Sequence, residues 1–211
     1  MATAILPSHP ATIPVPPVLW PYQPMRISVE RFHELITQGF FAENERFELL
    51  EGVIAEKLTK HPPHAYATKK CYAMLSKMLA APWHVISQDP ITLSTSEPEP
   101  DIAVIQGLLE DFTARHPGSG EIPLVVEVSE STLATDRYKA GIYAAAGIPI
   151  YWIVNLTERV VEVYSLPGEV EQNHAYAAQR LFRGDEAIPV QLAGQIVGHI
   201  RVNELIPEHS S

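Results

Sequence analysis

Two short apolar runs in this chain each carry one carboxylate. Asp101 opens Asp-Ile-Ala-Val-Ile directly after Pro100, and Glu127 sits among Val125, Val126 and Val128. Runs of this kind read as buried central strands. An acid inside such a strand is costly unless it is paired, hydrogen-bonded or bound to a cation. Two acids on neighbouring strands repel and raise each other's pKa values. A hard divalent cation removes that conflict, since magnesium takes oxygen ligands and keeps several waters. Asp101 and Glu127 therefore read either as a metal-binding pair or as acids that cap strand ends or pair with arginine.

Lys139 belongs to Asp136-Arg137-Tyr138-Lys139, which opens the helix after Glu127's strand. A lysine beside a metal-bound phosphate can stabilise developing charge or orient water. Asp136 and Lys139 also share a helix face, so a surface ion pair is the plainer alternative. Glu48 and Glu51 lie on and at the turn of a hairpin, where either could supply a third carboxylate, although glutamates near turns are ordinarily solvated. His64 falls on an apolar helix stripe and is expected to be a buried, hydrogen-bonded core histidine rather than a metal ligand. Tyr143 and Trp152 read as core aromatics.

Several elements must position these groups. Ser28 caps a helix running to about Gly39. Residues 47–58 read as a β-hairpin with its turn near Glu51-Gly52. Cys71, Met74, Leu75, Met78 and Leu79 follow helical spacing. Strands are expected at about 84–94, 101–105 and 122–128, a helix at 136–146, and strands at 150–155 and 159–165. Pro167-Gly168 reads as a turn into a tail holding a further hairpin. The domain reading is a proline-rich arm over 1–25, then one domain over 26–211, with a core near 47–165 and a variable extension over 166–211.

Composition narrows the function. At 211 residues the chain suits one domain with a real core, and its single cysteine, Cys71, excludes an internal disulfide and a cysteine-cluster metal site. No targeting segment or membrane span is read, which favours the cytoplasm. The net charge of −10 argues against a DNA-coating role. It hides an asymmetry: five of the six lysines (57, 60, 69, 70 and 77) fall in a stretch without a single Asp or Glu. That stretch is either a solvated helix face or a local phosphate-facing strip.

The run from Glu127 through Asp136-Arg-Tyr-Lys139, then Tyr143-Ala-Ala-Ala-Gly147-Ile-Pro and Tyr151-Trp-Ile-Val-Asn-Leu, resembles the "putative restriction endonuclease" family abundant in cyanobacteria. That family lies within the PD-(D/E)XK nuclease superfamily. The resemblance takes in Phe47-Glu-Leu-Leu-Glu-Gly52, His64 and Pro100-Asp101, and covers about 26–165. It implies an α/β fold: a restriction-endonuclease-like mixed β-sheet flanked by helices, with an added N-terminal helix and β-hairpin. The core order would be helix, three strands, helix, strand.

The same resemblance implies site roles. Asp101 and Glu127 match the superfamily's acids and would hold magnesium or manganese. Glu48 matches a family acid on the hairpin. The superfamily's lysine, two residues after the second acid, is replaced here by Ser129, and Lys139 would be a migrated lysine. Ile150 stands where relatives commonly have glutamate. The leading expectation is a metal-dependent DNA endonuclease with Asp101, Glu127, Lys139 and Glu48 as catalytic residues. Lys57, Lys60, Lys70 and Lys77 would contact DNA, and the analogy adds a homodimer. The alternative is a catalytically inactive nuclease-fold binding or interaction protein, which the acidic charge and the missing Glu-X-Lys favour.

Overall fold

The computed structural model describes residues 24–42, 45–57, 60–170 and 173–207, so residues 1–23 of the proline-rich arm lie outside it. Helix α1 spans Val29–Thr37, and the Ser28 hydroxyl accepts from the Arg31 backbone N–H at 3.2 Å. Strands β1 (Phe47–Leu50) and β2 (Val53–Glu56) form an antiparallel hairpin. Glu51 and Gly52 both have positive φ, as a two-residue turn matching the strand twist requires. A side chain at Gly52 would also meet the Ile27 carbonyl at 2.9 Å, so glycine is needed there twice over.

Helix α2 (Pro62–Met78) has both prolines in its first turn, where the missing N–H has no intrahelical partner to lose. Strands β3 (Trp83–Ile86), β4 (Ile102–Gln106) and β5 (Leu124–Ser129) precede α3 (Leu133–Ala145) and β6 (Ile150–Asn155). This is the expected order of helix, three strands, helix, strand. Then follow β7 (Val160–Val170), β8 (Asn173–Arg183), β9 (Ala187–Leu192), β10 (Gln195–Arg201) and α4 (Val202–Leu205).

Strands β3 to β8 form one sheet in sequence order. Only β5 and β6 are parallel neighbours, and α3 makes the crossover that a parallel pair requires. The two sheet faces read off by alternation. Ile102, Val104, Val126, Val128, Trp152 and Val154 pack with Ala67, Cys71 and Leu75 of α2. Ala103, Ile105, Val125, Tyr151 and Ile153 pack with Ala140, Ile142 and Tyr143 of α3. The fold is thus a mixed α/β sheet flanked by helices.

Two sequence readings need correction. The strand expected over 84–94 stops at Ile86. Pro90, Pro98 and Pro100 punctuate the stretch to β4, and proline cannot donate to a ladder. Part of that stretch is held instead against the hairpin, by reciprocal backbone bonds between Leu49 and Glu97. Pro167-Gly168 is not a turn: both residues continue β7, opposite Tyr176 and Ala175 of β8.

The tail contributes strand β8 to the sheet, and its β9–β10 hairpin and α4 cover the α2 face. Ile188, Val190, Ile200, Val202 and Leu205 all join that apolar cluster. Among the described residues no helix is long and apolar enough to cross a membrane. Because Ile200 is fully buried, Ile200→Ala should cost about 2–5 kcal/mol. Urea denaturation reads this directly, and a cost under about 1 kcal/mol would mean the tail hairpin lies loosely on the sheet.

Candidate active site

Register brings the two strand acids together. Ile102 pairs with Val126 and Ala103 with Val125 across antiparallel β4 and β5. Asp101, one residue ahead of β4, therefore comes level with Glu127 on the face that α3 covers. The backbone locks the alignment: Val128 N–H donates to Asp101 Oδ2 at 2.9 Å, and Asp101 N–H donates to Glu127 Oε2 at 3.2 Å. Both side chains are about 5% exposed.

Helix α3 supplies the cation. Asp136, Lys139, Ala140 and Tyr143 follow i, i+3, i+4, i+7 spacing, and all four are buried. Lys139 Nζ donates to Glu127 Oε1 at 3.0 Å and to Glu48 Oε2 at 2.9 Å. Tyr143 donates its hydroxyl to the same Glu127 oxygen at 3.0 Å. Asp136 turns elsewhere, accepting the Thr132 hydroxyl at 2.7 Å, so a surface Asp136–Lys139 pair is not what forms. Between the two hairpin acids, place decides: Glu48 lies within β1 and Glu51 in the turn beyond it. Glu48 is buried toward the sheet, while Glu51 is partly exposed and accepts the Tyr138 hydroxyl.

The segment entering α2 closes the other side. Lys60 Nζ donates to Asp101 Oδ1 at 2.7 Å. His64 is buried, as its stripe position suggested, but Nε2 lies 3.1 Å from Asp101 Oδ2. It belongs to this cluster rather than to the apolar core alone, because the helix start abuts the start of β4. Lys57 bonds the Glu99 carbonyl at 2.5 Å and lies 3.3 Å from its carboxylate. Lys70 and Lys77 are exposed on α2. The lysine-rich stretch is thus divided between acid-paired cations at the site and a solvated helix face.

Glu48, Lys60, His64, Asp101, Glu127 and Lys139 line a cavity of about 340 Å³, which Glu130, Ser131, Thr132 and Thr135 also edge. Burial pushes the Glu127 carboxyl up to about 7, against the pull of Lys139 and with the help of Asp101. Asp101 goes the other way: burial would raise it, but His64 and Lys60 together hold it below the usual carboxylate range. Burial opposes the Lys139 charge, yet Glu127 and Glu48 keep it firmly protonated.

Among the described residues no three His, Cys, Asp or Glu side chains form a ready-made cation cage. Two level carboxylates beside a cavity do suit magnesium, which is held by one or two carboxylates and keeps its waters. Ser129, where the sequence resemblance implies a lysine, is buried and carries no charge. Ile150 lies three residues before Ile153, the partner of Glu127, and packs on the α2-side cluster. An apolar residue there leaves the cavity untouched. Sequence reasoning missed His64 and Tyr143 as members of this cluster. For Tyr143 a signal existed: it lies four residues beyond Lys139, on the same helix face.

The model of the Uma2 family, described as "Putative restriction endonuclease", matches residues 29–197. The chain belongs to the Uma2 family. The match takes in every one of the cluster residues. Among solved structures, this Uma2 chain is similar to a putative nuclease belonging to DUF820 from Anabaena variabilis ATCC 29413. The two are 18% identical, with a TM-score of 0.61, over 85% of this chain and 97% of the other. At that identity the likeness establishes a shared nuclease-like fold. A comparison with curated proteins finds no match.

The raised Glu127 gives a pH prediction for the metal-free protein. A carboxyl whose folded pKa exceeds its unfolded one favours the fold most below the unfolded value of 4.5, and that contribution is lost as pH rises through about 7. Carbon-13 detection of the glutamate carboxyls should show one titrating near pH 7. A full set titrating below pH 5 would show that Lys139 alone compensates the burial.

Proposed function

We propose that this Uma2 chain is a divalent-metal-dependent DNA endonuclease that hydrolyses phosphodiester bonds, with Asp101, Glu127, Lys139 and Glu48 as its catalytic set. The observation that carries the reading is the convergence of Asp101 (just ahead of β4), Glu127 (on β5) and Lys139 (on α3) on one cavity edge. Asp101 and Glu127 would hold a magnesium or manganese ion, whose chemistry is to polarise a phosphoryl oxygen and to lower the pKa of bound water.

The chain's own groups have separable tasks. Glu48 and Glu127 fix the Lys139 ammonium by two charge-assisted hydrogen bonds. An ammonium held in place needs little reorganisation when negative charge develops on a phosphate beside it. Tyr143 restrains the Glu127 carboxylate, and the Val128 N–H restrains Asp101. The exposed lysines of α2, Lys70 and Lys77 among them, supply positive charge for the DNA backbone outside the cavity. The proposal takes residues 26–211 as one domain acting in the cytoplasm and, by analogy with the fold, as a homodimer.

Magnesium- or manganese-dependent nicking of supercoiled plasmid tests this. Lys139→Ala should lower nicking by about two orders of magnitude, the scale for losing one electrostatic stabiliser. Metal binding should persist, because lysine is not a ligand. Unchanged nicking in the variant would reduce Lys139 to a counter-ion for buried acids. A wild type that nicks with neither ion would favour the inactive binding protein, the reading that the net charge of −10 supports.

A further inference from the structure

The cavity acids have their oxygens largely occupied by the chain's own donors. Asp101 Oδ2 receives the Val128 N–H and faces His64 Nε2, and Oδ1 receives Lys60. Glu127 Oε1 receives Lys139 and Tyr143, and Oε2 receives the Asp101 N–H. A carboxylate oxygen offers about two lone-pair sites. The open capacity therefore lies at Asp101 Oδ1 and Glu127 Oε2, and the first of these is where Lys60 sits.

The donors differ in their freedom to leave. Lys139 is held by two acids with 5% of its side chain exposed, and Tyr143 is fully buried. His64 rides on α2, and the Val128 N–H is part of a strand. Lys60 is a long, flexible side chain ahead of the α2 N-cap, 18% exposed, with Asp101 as its ion-pair partner among the described residues. A divalent cation and an ammonium on one carboxylate oxygen would repel each other at contact distance. Lys60 can withdraw by side-chain rotation alone.

We propose that Lys60 is a built-in placeholder for the cation: in the metal-free protein its ammonium neutralises Asp101, and it must withdraw for a divalent ion to bind. Lys60 thereby weakens metal binding and keeps the acid pair compatible with the fold when no ion is present. This inference rests on the proposed metal site, yet it concerns Lys60 alone. It departs from the sequence reading of Lys60 as a DNA contact.

The test is calorimetric titration of Mn²⁺ into metal-stripped wild type, Lys60→Met, Lys60→Arg and Asp101→Asn. Lys60→Met should bind Mn²⁺ on the order of tenfold more tightly, as expected when one competing charge-assisted contact is removed. Lys60→Arg, which keeps the charge, should bind no more tightly than wild type, and Asp101→Asn should bind far more weakly. In metal-free buffer Lys60→Met should melt below wild type and gain more in Tm on adding Mn²⁺. Equal or weaker Mn²⁺ affinity in Lys60→Met, with wild type binding normally, would overturn the placeholder and leave the metal site standing. Absence of binding in both wild type and Lys60→Met would overturn the metal site itself. Binding by Lys60→Met alone would be the strongest support.

Discussion

The structure depends on one electrostatic constraint: carboxylates taken out of water need compensation close at hand. Glu48, Asp101, Glu127 and Asp136 are all buried around the same cavity. Each left unpaired would cost several kcal/mol or be forced to keep its proton. Lys139 serves two of these acids, Lys60 and His64 a third, and Thr132 the fourth. This need ties together elements distant in sequence, since Lys139 and Glu48 are 91 positions apart. The hairpin, the sheet and α3 must be docked at once for the charges to balance.

Geometry of the sheet turns that constraint into a site. Had β4 and β5 paired one residue out of register, Asp101 would face the α2 side and the acids would separate. The antiparallel pairing also puts the beginning of β4 beside the later half of β5. The acids therefore collect at one end of the sheet, under the first turns of both α2 and α3. Helix ends and strand ends meet there, and side chains from β1, the start of β4, β5, α2 and α3 can share one cavity.

Much of this was legible in the sequence, for identifiable reasons. The apolar runs around Asp101 and Glu127 marked buried strands, and the motif around Lys139 marked the nuclease-like core. Helix spacing placed His64 correctly on a buried stripe. Periodicity could not say that the stripe's first turn overhangs a strand end, so its contact with Asp101 went unseen. Tyr143 was read as an aromatic filling the core, because its ring is just that; only its hydroxyl reaches Glu127. The charge run over Lys57–Lys77 looked continuous in one dimension, but α2, which starts at Pro62, carries its far end onto an exposed face, away from the acids that Lys57 and Lys60 meet. Pro167-Gly168 misled for a related reason: composition marks a probable break, whereas the long pairing with β8 decides.

The seat of the ammonium has a consequence for how such a site is read. With Ser129 in the strand and Lys139 on the following helix, acid and ammonium do not share one three-residue word, and they meet only because α3 keeps its seat on β5. The site is written in an interval, from Glu127 to Lys139 to Tyr143, and a reader searching for contiguous letters would pass it by.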